Sequence, residues 1–272
     1  MKLLTCLAIS LALATSLVAQ TPTPVSGGAE AQAKEELNEA SRAYRKGNFA
    51  EAQAHSEKAL LLDPQNKTAP YFIARSIHAQ YKPGDFTPEN VAKAREAIIA
   101  YQRTLERVPG DDEAYKAIAY LYGALKEEEL LREWLLQRAA DASLANDKRA
   151  EAFVVLASKD WDCSFKITDL PANKFATVIR GKGHVSYRMP KERVEFEQAK
   201  ECANRGLEMV NMAVSLSPED EIAWSYKANI LLELAKLAEM SGEVQHKREL
   251  QRQYEQALNE TTKLSRRAQS NP

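Results

Sequence analysis

A short segment that ends in proline occurs three times along the chain: ALLLDP at 59–64, TLERVP at 104–109 and AVSLSP at 213–218. Each copy ends at a proline, which cannot continue the hydrogen bonding of a helix. The agreement extends to both sides, because a small residue stands twelve positions before each proline and an alanine ten positions after it. These residues are Ala52, Ala97 and Gly206 before the prolines, and Ala74, Ala119 and Ala228 after them. The chain therefore contains an internal repeat.

An aromatic residue also follows each proline, at Tyr71, Tyr115 and Trp224. Small residues let two helices approach closely, and a bulky ring fills the adjacent gap. With the turn GNFAEA at 47–52, this pattern resembles the tetratricopeptide repeat, a helix-turn-helix unit of about 34 residues. The resemblance implies an all-α, right-handed solenoid. Its units would span about 33–66, 67–110, 111–145, 186–220 and 221–265, with 146–160 as the first helix of a degenerate unit.

The sequence also predicts the positions of one long loop and one helix start. The first two of the repeated prolines, Pro64 and Pro109, lie 45 residues apart. The second unit therefore carries roughly 11 residues more than a repeat of about 34 residues. The segment YKPGDFTP at 81–88 holds two prolines and a glycine and is the expected place for them. The segment SPED at 217–220 predicts a helix start, with the Ser217 hydroxyl as cap and Pro218 at the first helical position. The polar helix expected near 242–267 would be a solvent-facing cap.

The N-terminal residues predict export. Residues 1–19 have the order of a secretory signal, with Lys2, an apolar stretch over 3–17 and a small-residue exit at Ala19. Residues 20–32, which begin QTPTPVSGG, have the composition of a flexible linker. We expect a cleaved signal, a periplasmic chain and no membrane span in the mature protein. An uncleaved anchor is the alternative, although a span wants about 20 apolar residues. Similarity to small exported repeat proteins favours a bacterial envelope.

The charge balance argues against one class of partner. The chain carries 37 Lys and Arg against 38 Asp and Glu, for a net charge of −1. Nucleic-acid-binding domains instead present a strong basic field. We therefore expect no nucleic acid partner.

Export changes how the cysteines are interpreted. After removal of the signal, Cys163 and Cys202 remain, and an oxidising compartment permits a disulfide between them. Such a bridge would tie an irregular segment after Trp161 to a helix over 191–216. The alternative is two buried free thiols, which behave as small apolar side chains.

Residues 161–190 depart from the helical pattern and are predicted to form a basic insertion. Repeat units would precede it at 33–160, and further repeat units with a capping helix would follow it at 191–268. Two β-leaning runs, 175–179 and 184–188, flank Gly181-Lys182-Gly183 and predict a hairpin. No acidic residue lies between Asp169 and Glu192. The basic residues of the insertion are Lys174, Arg180, Lys182, His184, Arg188 and Lys191.

Two interpretations of this insertion stay open. It could bind an acidic partner, either a protein segment or an anionic polymer. Alternatively, it folds back onto the solenoid and pairs with nearby acids, and this second interpretation is favoured because exposed charges commonly find weak local partners. The candidate acids are Asp160, Asp162, Asp169 and the run Glu127-Glu128-Glu129.

No catalytic signature is present in the sequence: there is no His-Glu-x-x-His zinc motif, Gly-x-Ser-x-Gly elbow, phosphate loop or Cys-x-x-Cys pair. Cys163 and His184 could pair as nucleophile and base, but no third orienting group stands at a recognisable spacing. We therefore expect a protein that is not an enzyme and that uses no metal and no cofactor.

The remaining function is binding. By the resemblance, the first helix of each unit would line a groove that accepts a protein or peptide partner. The groove positions would be Arg45, Arg75, His78, Lys116, Tyr120 and Asn229; ordinary solvated side chains are the alternative interpretation of this set. Tyr120 stands where peptide-clamping members have asparagine, which argues against binding of a terminal carboxylate in that manner. The alternative function is binding of an anionic glycan or lipid head group through residues 174–191.

Overall fold

The computed structural model describes residues 26–179 and 181–270, and the predicted signal at 1–19 lies outside them. These residues form ten α-helices and one β-hairpin. The helices are α1 (Ser26–Arg45), α2 (Phe49–Leu62), α3 (Ala69–His78), α4 (Pro88–Arg107), α5 (Asp112–Ala124), α6 (Glu128–Ala140), α7 (Asn146–Thr168), α8 (Arg193–Leu216), α9 (Glu221–Met240) and α10 (Val244–Ser270). The strands are β1 (Lys174–Ile179) and β2 (Lys182–Tyr187). The predicted all-α fold with a small hairpin insertion is confirmed.

The helices stack in chain order, because each packs on the helix before it and the helix after it. Five consecutive pairs result: α1/α2, α3/α4, α5/α6, α7/α8 and α9/α10. Neighbouring parts of the core are continuous, since Trp134 contacts the apolar residues of α3–α5 as well as those of α6–α8. Tyr226 contacts both this second cluster and a third, which is formed by residues of α7–α10. Stacking buries the apolar faces that a single helix pair would leave in water.

The small residues of the repeat lie where helices cross. Ala52, Ala97 and Ala74 are fully buried, and Ala228 is nearly so. At Gly206 a Cβ atom would stand only 3.2 Å from Cβ of Asp160 and 3.2 Å from Cδ1 of Ile230. The absence of a side chain at this position lets α8 pack closely between α7 and α9.

The connection between α3 and α4 occupies residues 79–87, where the sequence predicted the extra residues of the second unit. The amide of Asn90 organises this loop. Its Oδ1 accepts a hydrogen bond from N of Lys82 at 2.9 Å, and its Nδ2 donates to the carbonyl oxygens of Lys82 at 2.8 Å and Asp85 at 2.6 Å. The side chain of Tyr81 closes the loop against the core and is 6% exposed.

The structure corrects the sequence interpretation at several boundaries. Helix α1 begins at Ser26, so residues 26–32 are helical although their composition suggested a linker. Helix α7 continues through Trp161 and Cys163 to Thr168, and these residues do not start an irregular segment. Helices α7 and α8 form one pair that flanks the insertion, rather than parts of two separate units.

A helix cap also differs from the prediction. Helix α9 is capped by Asp220, whose Oδ1 accepts hydrogen bonds from N of Ile222 and Ala223, whereas Ser217 ends helix α8. The carboxylate of Asp220 reaches the first amides of α9, and Pro218 lies before the helix.

The β-hairpin joins α7 to α8. Strands β1 and β2 are antiparallel, with Lys174 opposite Tyr187 at the base and Ile179 opposite Lys182 at the tip. The base is attached to the helices: N of Tyr187 donates to Oε1 of Glu239 at 3.2 Å, and Nδ2 of Asn173 donates to the carbonyl of Ile167 at 2.8 Å. The insertion therefore has a fixed root on α7 and α9.

Candidate partner-binding cleft

An open cleft of about 470 Å³ lies across the first helices of the first three pairs. It is lined mainly by tyrosines and by a few charged residues from α1, α3, α4 and α5. Its lining residues are Tyr44, Tyr71, Arg75, His78, Ala79, Tyr81, Pro83, Tyr101, Glu113, Lys116, Ala117 and Tyr120. Four predicted groove residues, Arg75, His78, Lys116 and Tyr120, are thus brought together.

Helical spacing explains why α3 contributes several of these residues. Tyr71, Arg75 and His78 stand at positions i, i+4 and i+7, which lie on one face of a helix. On α5, Lys116 and Tyr120 are likewise four residues apart. Each helix therefore directs an aromatic and a basic residue into the cleft.

The cation of Arg75 is held by an aromatic ring. Its Cζ lies 4.4 Å from the ring centroid of Tyr44. Hydrogen bonding with Tyr44 raises the pKa of Arg75, so the guanidinium stays charged. Among the described residues, no carboxylate lies within ion-pair distance of Arg75. An incoming acidic group would meet an exposed guanidinium and would not have to displace a carboxylate from it.

Apart from Arg75, Glu113 and Lys116, the side chains that line the cleft are uncharged at neutral pH. Burial raises the pKa of Tyr71, Tyr81 and Tyr101, so their hydroxyls remain protonated. Burial also lowers the pKa of His78, whose Nδ1 lies 3.2 Å from the Tyr101 hydroxyl and whose ring contacts that of Tyr120, with centroids 5.6 Å apart. These rings combine apolar faces with hydrogen-bonding edges.

Lys116 differs from Arg75 because it already has acidic partners. Its Nζ lies 3.0 Å from Oε1 of Glu151 and 3.4 Å from Oδ2 of Asp112. These contacts hold Lys116 on the side of the cleft that adjoins α7. It contributes less free positive charge than Arg75 does.

Two predicted groove residues do not line this cleft. Arg45 is exposed at the end of α1, and Asn229 is partly buried in α9. Conversely, the prediction missed Tyr44, Tyr71, Tyr81, Tyr101 and Glu113. Tyr71 could have been found from its spacing to Arg75 and His78. Tyr44 and Tyr101 meet the site only through packing between helices, which no local spacing reveals.

The basic insertion presents a second surface. Nζ of Lys174 pairs with Oδ1 of Asp169 at 3.0 Å, as the folded-back interpretation proposed. The guanidinium of Arg188 lies over the Phe175 ring, 5.1 Å from its centroid, and Lys191 is exposed. His184 stands in β2 opposite Thr177. Arg180 and the side chain of Lys182 lie outside the described residues.

Four of the other candidate acids already pair with basic residues of the helices. Asp160 binds the guanidinium groups of Arg132 and Arg205. Asp162 pairs with Lys166 at 2.5 Å. Glu127 and Glu128 pair with Arg95 and Lys159, respectively. Within the insertion, Lys174 follows the folded-back interpretation through its ion pair with Asp169.

Cys163 and Cys202 are joined as a disulfide in the structure, with their Cα atoms 6.0 Å apart. The bridge links α7 to α8, and both cysteines stand within helices. Trp161 packs nearby, stacked on Phe165 with ring centroids 5.0 Å apart. Since Cys163 is disulfide-bonded, it offers no thiol for pairing with His184.

Across 26–179 and 181–270, no group of three or more His, Cys, Asp or Glu side chains is arranged to hold a metal ion. Over the same ranges, no helix has both the length and the apolar character needed to cross a bilayer.

The fold and the cleft together define a stacked helical-hairpin protein with an aromatic groove. The chain is similar in structure to a MamA protein, at 12% identity and a TM-score of 0.46 over 86% of this chain and 94% of the other. It is also similar to MamA of Desulfovibrio magneticus RS-1, at 14% identity and a TM-score of 0.44 over 88% and 97%.

A third similar structure is YrrB, described as a TPR protein with an unusual peptide-binding site. It shares 13% identity over 86% of this chain and 96% of the other, with a TM-score of 0.40. No protein-family model and no curated protein matches the chain. These similarities are remote, and the fold assignment rests on the helix order and packing of the chain itself.

Proposed function

We propose that this protein is a non-catalytic scaffold of the cell envelope and that it binds a peptide segment of a partner protein in the tyrosine-lined cleft. The observation that carries the proposal is that five tyrosines line one open cleft together with Arg75, whose guanidinium is paired with no carboxylate of the described residues. Tyrosine gives a large contact area with a hydrogen-bonding edge at low entropic cost, which suits recognition of peptides. An envelope location agrees with the predicted signal at 1–19 and with a disulfide.

The chemistry of the cleft defines the kind of segment that fits. An aromatic or other apolar side chain would pack against the accessible rings of Tyr71 and Tyr120. An acidic side chain next to it would pair with Arg75. Glu113, which is exposed at the same cleft, would disfavour a second acidic group on that side. We therefore expect a short segment with apolar residues and one acidic residue.

The test is affinity capture from envelope extract, using the chain from residue 20 onward as bait. The cleft variant carries Tyr120→Ala and Arg75→Gln. Its matched control carries Phe86→Ala, which removes a ring as exposed as that of Tyr120, 51% in both cases, and Arg248→Gln, which removes an exposed cation elsewhere. Circular dichroism verifies that both variants remain helical.

Loss of a partner by the cleft variant, with retention by the control, is the expected result. Equal capture by both variants would contradict the assignment of this cleft. A third bait, with 172–190 replaced by a Gly-Ser linker, separates the cleft from the insertion. Loss of the partner only in that bait would move the binding site to the insertion.

A second candidate function is binding of an anionic glycan or lipid head group through residues 174–191. The observation that favours it is charge: the stretch 170–191 holds five Lys or Arg residues and no acidic residue. Recognition of this kind should weaken steeply with ionic strength, whereas binding in an aromatic cleft should not. Titration against salt therefore distinguishes the two candidates.

A further inference from the structure

The free end of the β-hairpin carries a patch of exposed aliphatic residues. Val178 is 77% exposed and Val185 is 59% exposed. Val185 stands opposite Ala176, and Val178 stands opposite Gly183. Directly paired residues of antiparallel strands place their side chains on the same face. Ala176, Val178 and Val185 therefore share one face, which we call the aliphatic patch.

This patch projects from a firmly attached base. On the same face, the Tyr187 ring lies over the core, with Nζ of Lys236 5.2 Å from its centroid. N of Arg188 donates to the carbonyl of Asn173 at 3.0 Å. The four residue steps from Lys174 to Val178 extend the strand by about 13 Å beyond this base. An exposed apolar surface is therefore held clear of the helices.

The charge of the same segment specifies a partner. Five Lys or Arg residues and no acidic residue lie within 170–191. Lys174 forms an ion pair with Asp169. Exposed Arg188 and Lys191 stand at the base of the hairpin. An anionic bilayer attracts such clustered cations and also accepts aliphatic side chains a few Å below its head groups. A soluble polyanion would use the cations but leave the valines in water.

We propose that the hairpin docks on the surface of an anionic lipid bilayer, with the aliphatic patch entering the interface and the cations contacting phosphate groups. This inference rests on the second candidate function and adds the aliphatic contact to it. The helical stack would then be tethered to a membrane surface by a peripheral contact, with the tyrosine-lined cleft on other helices left accessible. The competing explanation is that the cations only protect the edges of a two-stranded ribbon from pairing with other chains.

The test measures co-sedimentation of the chain from residue 20 onward with vesicles. One set contains equimolar phosphatidylglycerol and phosphatidylcholine, and the other contains phosphatidylcholine alone. We expect binding to the anionic vesicles only, with strong weakening at high salt. Replacing Arg188 and Lys191 by Gln should reduce the partition coefficient by at most about 25-fold, since a cation at the head groups contributes about fivefold and one farther from them contributes less. The charge-matched control replaces exposed Lys67 and Arg248 by Gln and should bind like the wild type.

The aliphatic contact has its own variant. Val178→Thr with Val185→Thr keeps β-branched side chains in the strands and should lower vesicle binding on the order of tenfold through loss of apolar contact. The control is Leu61→Thr with Ile222→Thr, because these residues are 81% and 60% exposed but lie in α2 and α9. Equal urea midpoints for the two variants would show that folding is not the cause of a difference.

Dextran sulfate serves as a soluble polyanion in a parallel titration. Binding to dextran sulfate without binding to vesicles, or vesicle binding that the Val→Thr pair leaves unchanged, overturns the bilayer inference and leaves the glycan form of the second candidate standing. Binding to neither the vesicles nor dextran sulfate overturns both the bilayer inference and the second candidate function. Vesicle binding that the Val→Thr pair weakens, with dextran sulfate binding unchanged, supports the bilayer inference.

Discussion

Arg205 of α8 places its Nη2 3.2 Å from Oδ1 of Asp160 in α7. Asp160 is 2% exposed, and Arg132 of α6 approaches the same carboxylate at 3.2 Å. One buried acid therefore connects three consecutive helices. Because the hairpin separates α7 from α8 in sequence, this contact helps to keep the two helices paired.

Replacing Asp160 by Asn should destabilise the fold by about 1–3 kcal/mol. Removing one partner of a fully buried ion pair costs about 3–5 kcal/mol, but the two arginines here are 33% and 39% exposed, so solvent recovers part of that cost. Urea unfolding measures the change. Asp162→Asn is the control, because Asp162 and Lys166 are an exposed pair whose loss should cost less than about 1 kcal/mol. Equal effects of the two substitutions would contradict the prediction.

Removing the disulfide should also destabilise the protein. Cys163 and Cys202 are separated by 39 positions, and a bridge over a loop of this length contributes about 3–4 kcal/mol by limiting the unfolded chain. The measurement compares urea unfolding of the wild type with that of Cys163→Ser/Cys202→Ser, each with and without reductant. Reductant should shift the wild type and not the variant. A count of reactive thiols in the unreduced, denatured protein would contradict the bridge if both cysteines reacted.

Two glycines should respond differently to the same substitution. A Cβ at Gly123 would find its nearest neighbour, Cδ2 of Leu131, at 3.7 Å, so Gly123→Ala should gain about 0.5–1 kcal/mol from helix propensity. At Gly206 the same change meets Asp160 and Ile230 at 3.2 Å, and crowding offsets the gain. We expect Gly206→Ala to be less stable than Gly123→Ala by about 1 kcal/mol or more. Thermal unfolding of both variants tests the order, and the reverse order would contradict it.

A buried ion pair supports the root of the hairpin. Nζ of Lys236 donates to Oε1 of Glu233 at 2.5 Å, and the Thr168 hydroxyl donates to the other carboxylate oxygen. Replacing Lys236 by Met should cost about 3–5 kcal/mol because it leaves the buried Glu233 carboxylate without a counter-charge. The double change Lys236→Met/Glu233→Leu should cost less than the single one. Hydrogen exchange should show faster opening of β2 in the single variant, since Tyr187 rests on Lys236.

The histidine of the cleft predicts a pH effect. Burial lowers the pKa of His78 below the value of about 6.5 expected for the unfolded chain. The unfolded state therefore binds the proton more readily than the folded state does. The stability that neutral His78 contributes is fully present above about pH 6.5 and is lost as the pH falls below it. His78→Gln should reduce the loss of stability between about pH 7.5 and about pH 5.5. An identical loss in wild type and variant would show that His78 does not contribute.

The repeat positions allowed most of the helix pairs to be predicted because they report local geometry. The prolines mark helix ends, and Ala52, Ala97 and Gly206 mark close crossings; each of these follows from the residue itself and its spacing. The α7/α8 pair was not recognised, because a long insertion separates its helices and hides their periodic relation. The continuation of α7 to Thr168 was missed for a similar reason, since Trp161 and Cys163 were associated with the insertion.

The cleft was predictable only in part. Arg75, His78, Lys116 and Tyr120 follow from the expectation that first helices line a groove. The contact between Arg75 and Tyr44 joins α3 to α1 and depends on how the helices cross. The exposure of Val178 likewise depends on how far the hairpin extends beyond α9, a distance that the sequence does not contain.

The pairing of α7 with α8 on both sides of the hairpin has a consequence for protein engineering. The disulfide, Asp160 and the close approach at Gly206 hold these helices together independently of the segment between them. Residues 171–190 could therefore be exchanged for a reporter tag, an epitope or a different recognition loop while the stack keeps its register. This position is a natural acceptor for foreign sequences.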